Sequence, residues 1–459
     1  MRFLKIDSYL DFIKLALPIA AISVPLSFFF PVYFPIGIVV LFGLAWISQN
    51  IFLGINFLIL LHIFIVEGTK TISVQEFGVG FFLIFIIGLW FFKECFLNPA
   101  QQLIEKADYA LVAFFIFCLG SLLGGLAYQV SLQKWLRELI PFLPFLIIFP
   151  LRKELNSKKR ILVLLMSVLF VCLCMAFRNL IRYRELVSVA DVYWQISASR
   201  QTSNEPFFFV PIVISVSILL YGSSWKIKGL MIILICLFSI TLVVTFSRGY
   251  WVATIFSIFI LFIFSSVKIK IKIIGFFAVM AALGLLLLFL AFGELGDFIL
   301  ASVKNRFLTV HHLIRDPSIR SRLQESSALL KLINDNPIIG YGLGKQYEFH
   351  SILQREMPTA YIHNAFLFLI FKLGLGGFIS FVFFWAMVIV DGYRVFKKQN
   401  DNFLKALTIG IVAYMVGMIP LSFTSPQFYQ KDSVLLIFVG VSIIHGLKWK
   451  VFNQGNAFI

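Results

Sequence analysis

Apolar segments long enough to cross a lipid bilayer recur along nearly the whole chain. Hydrophobic residues make up 60% of the 459 residues, whereas charged residues make up only 13%, about half the share that is usual in soluble domains. Hydrocarbon offers the backbone no hydrogen-bond partners, and a helix satisfies its own N–H and C=O groups. The sequence therefore predicts an all-α fold, a polytopic integral membrane helical bundle.

Segments of spanning length can be marked from one end of the chain to the other, with ends uncertain by about 2–4 residues. They are Leu15–Phe30, Val32–Ser48, Ile51–Val66, Phe77–Phe92, Tyr109–Gln129, Leu136–Pro150, Ile161–Phe177, Pro206–Tyr221, Gly229–Thr245, Tyr250–Ser266, Ile273–Phe292, His363–Val390, Lys405–Leu421 and Asp432–Gly446. The first few can merge, so we expect about 12–14 transmembrane helices. Residues 1–459 are expected to form a single membrane domain.

The connections between these segments differ in charge and length. Short, densely basic loops alternate with two long ones, at about Arg178–Glu205 and Gly293–Ile362. Short basic loops are typical of the cytoplasmic side. This pattern predicts that both termini are cytoplasmic and that residues 293–362 form an extracytoplasmic loop with short helices, which carries part of the active site.

Arginine is concentrated on the predicted outer side, although lysine would serve topology equally well. Eleven arginines fall there: Arg137, Arg178, Arg182, Arg184, Arg200, Arg248, Arg306, Arg315, Arg320, Arg322 and Arg355. Guanidinium binds phosphate through two parallel hydrogen bonds. The distribution indicates a phosphate-bearing ligand on this side, and attraction to anionic lipid headgroups is the alternative explanation.

Two of these arginine sites are marked by their local sequence. Ser247-Arg248 lies between two apolar segments joined by almost no loop, where an arginine is costly unless it is paired or binds an anion. Arg320 and Arg322 precede a predicted helix at Leu323–Asn334, whose N-terminus favours anions.

Two further motifs follow along the chain. Asn336–Gly344 is a glycine-rich loop that contains Tyr341 and Gly342, and its glycines permit tight turns and close backbone approach. His363-Asn364 then opens an apolar segment and is followed, after nine intervening residues, by Gly374-Leu375-Gly376-Gly377. Gly374 and Gly377 are expected to allow close helix packing.

Taken in order, these motifs resemble the bacterial O-antigen ligase and Wzy-type polymerase superfamily. The resemblance rests on His363-Asn364 with its downstream glycines, on Ser247–Tyr250, and on the loop from Asp316 to Gly344. It implies a GT-C-like glycosyltransferase of the bacterial inner membrane that is inverting and metal-independent. The enzyme would transfer a glycan from undecaprenyl diphosphate to an acceptor in the outer leaflet.

The residues fit this chemistry. Neutral His363 can accept the proton of an acceptor hydroxyl, and Arg248 with Arg320 or Arg322 can stabilise the leaving diphosphate. Substrate-binding residues are predicted at Asn364, Ser247, Arg137, Tyr341 and Gly342. We expect no metal ion and no cofactor.

Several functions remain open at this stage. An O-antigen ligase would use a lipid A–core acceptor, whereas a polymerase would use a second lipid-linked glycan; the spacing after His363 favours the ligase slightly. A protein-acceptor oligosaccharyltransferase is less favoured, since no added periplasmic domain is evident. A lipid-linked sugar transporter would explain the apolar segments equally well, although transporters usually carry ionisable residues near the membrane midplane. Membrane lipids are expected partners, and nucleic acid is not.

Overall fold

The computed structural model describes residues 50–64, 74–97, 105–189, 204–222, 224–265, 317–348 and 361–453, with isolated positions between 267 and 275. The chain divides into Met1–Ile55 and Asn56–Ile459. Only residues 50–55 of the first unit are described, and they begin a helix. The other described residues belong to the second unit.

Helices and the turns that connect them account for the described residues, with no β-strand among these ranges. The first seven helices are α1 (Ile51–Leu61), α2 (Val74–Phe92), α3 (Lys106–Ala127), α4 (Leu132–Leu139), α5 (Ile148–Glu154), α6 (Lys158–Val189) and α7 (Pro206–Tyr221). The others are α8 (Trp225–Val244), α9 (Arg248–Phe264), α10 (Pro317–Asp335), α11 (Ala365–Lys398), α12 (Asn402–Ser422) and α13 (Lys431–Asn453).

Seven helices within the described ranges are long and apolar enough to cross a membrane, namely α2, α3, α6, α8, α11, α12 and α13. Three shorter ones, α1, α7 and α9, are also apolar. The predicted all-α, multi-pass membrane fold is confirmed. The predicted segments Leu15–Phe30 and Val32–Ser48, and most of Ile273–Phe292, lie outside the described residues.

Two predicted segments differ from the structure. Leu136–Pro150 is not one helix: α4 is followed by a 3-10 helix at Ile140–Ile147 and then by α5, because Pro141 and Pro144 interrupt the α-helical hydrogen bonding. Ile161–Phe177 is instead part of α6, which is 32 residues long and ends at Val189. Arg178, Arg182 and Arg184 therefore lie on a helix and not in a loop.

One end of the second unit is rich in ion pairs between helix termini. Lys448 near the end of α13 binds Glu105 at 2.6 Å and Asp391 at 2.8 Å, and Arg152 binds Asp108 at 2.6 Å. Lys158 at the start of α6 contacts Asp401, which caps α12. Many of the short basic loops of the sequence meet here, and their assignment to the cytoplasm stays a prediction.

Helix α11 begins at the opposite end and is interrupted nine residues into its length, about 14 Å from its start. Gly374 has φ 69° within the helix, and a Cβ at this position would collide with the carbonyl oxygen of Ile338. Gly374 therefore breaks the helix. The close helix packing that the sequence predicts at Gly374 and Gly377 occurs at Gly376 and Gly377, which lie against Phe117 of α3.

The glycine-rich loop supplies the hydrogen bonds that this interruption leaves open. Tyr341 N–H donates to the carbonyl of Phe371 at 2.8 Å, and Gly342 N–H donates to that of Lys372 at 3.0 Å. In the other direction, Leu375 N–H donates to the carbonyl of Pro337 at 2.8 Å. Because unpaired backbone groups are costly in an apolar setting, the loop and the interruption stabilise each other.

A buried lysine strengthens this junction. Lys372 is fully buried, and its Nζ donates to Glu138 Oε1 at 2.9 Å and to the carbonyl of Lys345 at 2.5 Å. The second carboxylate oxygen of Glu138 accepts from Gly344 N–H at 2.6 Å. A buried charge persists only when it is paired and hydrogen-bonded, so this cluster fixes the loop and α4 to α11.

We expect Gly374→Ala to destabilise the protein. At φ 69° and ψ −177°, a conformation that essentially only glycine adopts, a residue with a side chain costs about 1–3 kcal/mol, and the clash with the Ile338 carbonyl adds to that cost. Gly120→Ala is the matched control, because a Cβ on this α3 residue would meet nothing within 4 Å and alanine favours helix. Thermal unfolding in detergent should show a lower midpoint for Gly374→Ala alone; equal midpoints for the two variants would contradict the structural role of Gly374.

Candidate active site

His363 lies two residues before the first residue of α11, at the end of the second unit away from the ion pairs. Its neighbour Asn364 is the N-cap residue, and Asn364 Oδ1 accepts from the N–H groups of Phe366 at 3.0 Å and Leu367 at 3.1 Å. Asn364 thus explains why the helix starts here. The cap uses the amide oxygen, and the Nδ2 group remains able to donate to a ligand.

A buried carboxylate anchors the His363 ring. Glu325 on α10 is 2% exposed, and its Oε2 lies 3.0 Å from His363 Nδ1 and 3.3 Å from the His363 backbone nitrogen. The His363 side chain is 36% exposed, and its Nε2 has no hydrogen-bond partner among the described residues. One ring nitrogen is therefore held by protein, and the other can accept a proton.

Two tyrosines complete the support of this corner. Tyr347 OH contacts Glu325 Oε1 at 2.6 Å, and Tyr429 OH donates to the carbonyl of Ile362 at 2.6 Å. Burial, together with the hydrogen bond to Glu325, raises the pKa of Tyr347, so this phenol stays protonated and donates. Tyr361 adds an edge-to-face ring contact with His363 at 4.9 Å between centroids.

Arg248 is the first residue of α9 and follows a very tight turn. Phe246 has φ 52° in this turn, a conformation that is rare for a bulky residue and is often found at functional sites. Gly249 packs against α12, where a Cβ would lie 3.0 Å from Leu421 Cδ1. The Ser247 side chain forms no hydrogen bond that caps α9. Its hydroxyl and the N-terminus of α9 therefore lie next to the half-buried Arg248.

One connection joins the Arg248 and His363 corners. Between α12 and α13, Gln427 Nε2 donates to Tyr250 OH at 2.9 Å, and Tyr250 is two residues beyond Arg248. Tyr429, two residues after Gln427, binds Ile362 next to His363. The structure thus brings Arg248 and His363 to the same end of the helices.

Arg320 and Arg322 lie within a helix and not before it. The predicted start at Leu323 is wrong, since α10 begins at Pro317, and the two arginines occupy its first two turns. Arg322 is three residues before Glu325 and so lies on the same face of α10. Arg320 is five residues before Glu325, points elsewhere and is exposed.

The other predicted substrate-binding residues lie around the loop and α4. Tyr341 OH donates to the carbonyl of Leu332 at 2.9 Å, and the Tyr341 ring stacks on Phe371. Gly342 is buried, and its N–H is bonded within the α11 interruption. Arg137 is exposed on α4, next to Glu138. The described contacts of Tyr341 and Gly342 are structural, and a role in substrate binding stays a prediction for all three.

Sequence reasoning missed two polar clusters. The sequence analysis assigns no role to Glu325, yet its carboxylate holds the His363 ring. A second, buried cluster links the rest of this end: His62 Nε2 lies 2.6 Å from Asp432 Oδ1, Asn204 Nδ2 donates to Asp432 Oδ2 at 2.5 Å, and Arg178 donates to Asn204 Oδ1. These residues are far apart in sequence, and no local motif marks them.

Comparison with protein families identifies one segment of the chain. Residues 230–382 match the family model Wzy_C, described as O-antigen ligase. The chain contains a Wzy_C domain. The resemblance to the O-antigen ligase and Wzy superfamily is confirmed, and the Wzy_C domain includes Arg248, Arg322, Glu325 and His363. A search of curated proteins gives no match to the chain.

The Wzy_C domain and the apolar helices together define the class of protein. The described helices are those of a multi-pass membrane protein. The match of residues 230–382 supports an O-antigen ligase or polymerase type of membrane enzyme, a family whose substrates are in general lipid-linked glycans.

Proposed function

We propose that this protein is an O-antigen ligase-like glycosyltransferase. It transfers a glycan from undecaprenyl diphosphate to an acceptor hydroxyl on lipid A–core, at the outer face of the bacterial inner membrane. The proposal rests on the geometry of one residue. His363 is half exposed, its Nδ1 contacts Glu325, and its Nε2 has no hydrogen-bond partner among the described residues. His363 lies at the same end of the Wzy_C domain as Arg248.

His363 acts as the general base. Nε2 takes the proton of the acceptor hydroxyl while that oxygen attacks the anomeric carbon of the donor sugar. The bond between this carbon and the diphosphate oxygen breaks, and undecaprenyl diphosphate leaves from the opposite face, so the configuration inverts. Asn364 Nδ2 is placed next to the base, where it can donate to an acceptor oxygen.

The leaving diphosphate gains charge as the bond breaks, and cations stabilise it. Arg248 supplies a planar, permanently charged group at the N-terminus of α9, where the helix dipole also favours anions. Arg322 is the second residue that binds the diphosphate. It lies on the same face of α10 as Glu325, and Glu325 contacts His363. Fixed donors that meet developing charge contribute strongly to rate, and no step in this sequence requires a metal ion.

Purified protein tests the proposal when a defined undecaprenyl-diphosphate glycan is supplied with two competing acceptors, lipid A–core and a second lipid-linked repeat unit. We expect transfer to lipid A–core, insensitive to chelator. Transfer to the lipid-linked unit instead would identify a Wzy-type polymerase with the same catalytic residues. Movement of intact donor across vesicles without any new glycosidic bond would identify a transporter and overturn the proposal.

A further inference from the structure

The buried carboxylate of Glu325 has no place yet in the proposed reaction. Glu325 is 2% exposed and is contacted by three donor groups, Tyr347 OH, His363 Nδ1 and the His363 backbone N–H, within 2.6–3.3 Å. Burying a carboxylate is costly. A carboxylate whose partners converge on a single histidine points to a function beyond packing.

We propose that Glu325 is a positioning residue that makes His363 a competent base, an inference that rests on the proposed function. Because a carboxylate only accepts hydrogen bonds, its contact with Nδ1 selects the tautomer in which Nδ1 carries the hydrogen. Nε2 then presents its lone pair to the acceptor hydroxyl. When Nε2 has taken the proton, both ring nitrogens are protonated, and the adjacent carboxylate stabilises the positive ring.

Three contacts keep Glu325 in this role. Tyr347 binds Oε1 and leaves Oε2 to the histidine, so the carboxylate cannot rotate without breaking a hydrogen bond. Tyr347 OH also lies 3.2 Å from the carbonyl of Tyr361, two residues before His363. The backbone N–H of His363 binds the same oxygen as its ring, which fixes the ring relative to the start of α11. Glu325 therefore determines both the tautomer and the direction of Nε2.

Helix α10 carries two residues of the proposed site. The helix carries Glu325 and, one turn earlier on the same face, Arg322. Packing of α10 against the start of α11 thus has two effects. Glu325 orients the base, His363, and Arg322 is placed beside it, where it can bind the diphosphate.

A double-mutant cycle tests the proposal. Glu325→Gln keeps the shape and an acceptor oxygen but removes the charge, and we expect kcat to fall by about 10²–10⁴-fold with little change in KM. In a His363→Gln background the same substitution should cause no further loss, because residues that act as a unit are not additive. An equal fractional loss in both backgrounds would mean that Glu325 is merely structural and would overturn the proposal. Full activity of His363→Gln would instead refute the general-base role of His363, and the positioning role with it, whereas the absence of any transfer by the wild type would refute the proposed function.

A second measurement needs no activity. In protein labelled with ¹⁵N-histidine, the His363 signals can be assigned by their absence from His363→Gln. The neutral ring in the wild type should carry its hydrogen on Nδ1, and in Glu325→Ala this preference should be lost. A wild-type ring protonated on Nε2 would overturn the proposal, even where Glu325→Gln proves unstable.

Discussion

His363→Gln should reduce glycan transfer by about 10²–10⁴-fold, the contribution typical of a general base. Glutamine can still form hydrogen bonds beside Glu325, but it cannot take the proton of the acceptor hydroxyl. The side chain is half exposed and does not cap α11, which is the task of Asn364. Folding and donor binding should therefore stay close to those of the wild type.

The measurement is single-turnover transfer by purified protein at saturating donor, with donor binding determined separately. His363→Ala should be as inactive as His363→Gln, because both lack the base. Transfer near the wild-type rate by either variant, with chemistry limiting, would reduce His363 to an anchor at the start of α11.

The class of fold was predictable because lipid imposes a simple rule on sequence. An apolar stretch of spanning length must be helical, and the helices observed from α7 to α9 begin and end within a few residues of the predicted segments. The rule fails where proline or glycine interrupts a segment. Neither Pro141 nor Gly374 changes hydropathy, yet one divides a span into short helices and the other breaks α11.

The motif residues of the site were predictable, but their supports were not. His363 and Arg248 stand out as polar residues beside apolar segments. Glu325 does not, since it lies 38 residues before His363 on a helix whose predicted start was wrong. Arg322 and Glu325 are three residues apart, a spacing that places them on one face of a helix. A predicted helix beginning at Pro317 would include both residues and would indicate Glu325 as a site residue.

The glycine-rich loop illustrates how a local motif can have structural contacts that the sequence does not show. Gly340, Gly342 and Gly344 all have positive φ, which resembles a loop that cradles a ligand. The N–H groups of Gly342 and Gly344 donate to Lys372 of α11 and to Glu138 of α4, and a Cβ on Gly342 would meet Gly125 of α3. The bond to α11 satisfies the backbone of an interrupted membrane helix, and a role of the loop in substrate binding stays a prediction. Only the tertiary structure reveals that the missing partner is another part of the chain.

Arg248→Lys should lower transfer at least tenfold, and Arg248→Ala about 10²–10³-fold, as expected when a fixed donor to developing charge is removed. Lysine keeps the charge but loses the planar fork that binds two phosphate oxygens. Arg182→Lys is the matched control, because Arg182 is an exposed arginine of α6 outside the Wzy_C domain, and it should retain full transfer.

Alanine substitutions of Arg322 and Arg320 should differ clearly in their effect on transfer. Arg322→Ala removes a cation from the helix face that Glu325 shares, so its loss should approach that of Arg248→Ala. Arg320→Ala removes an exposed charge from a different face of α10 and should cost far less. All variants are compared by kcat in the purified assay, with unfolding midpoints as the check on structure. Equal losses for the two α10 variants would contradict the choice of Arg322 over Arg320. Wild-type transfer by Arg248→Ala would remove Arg248 from the diphosphate site and leave its role to anionic lipid headgroups.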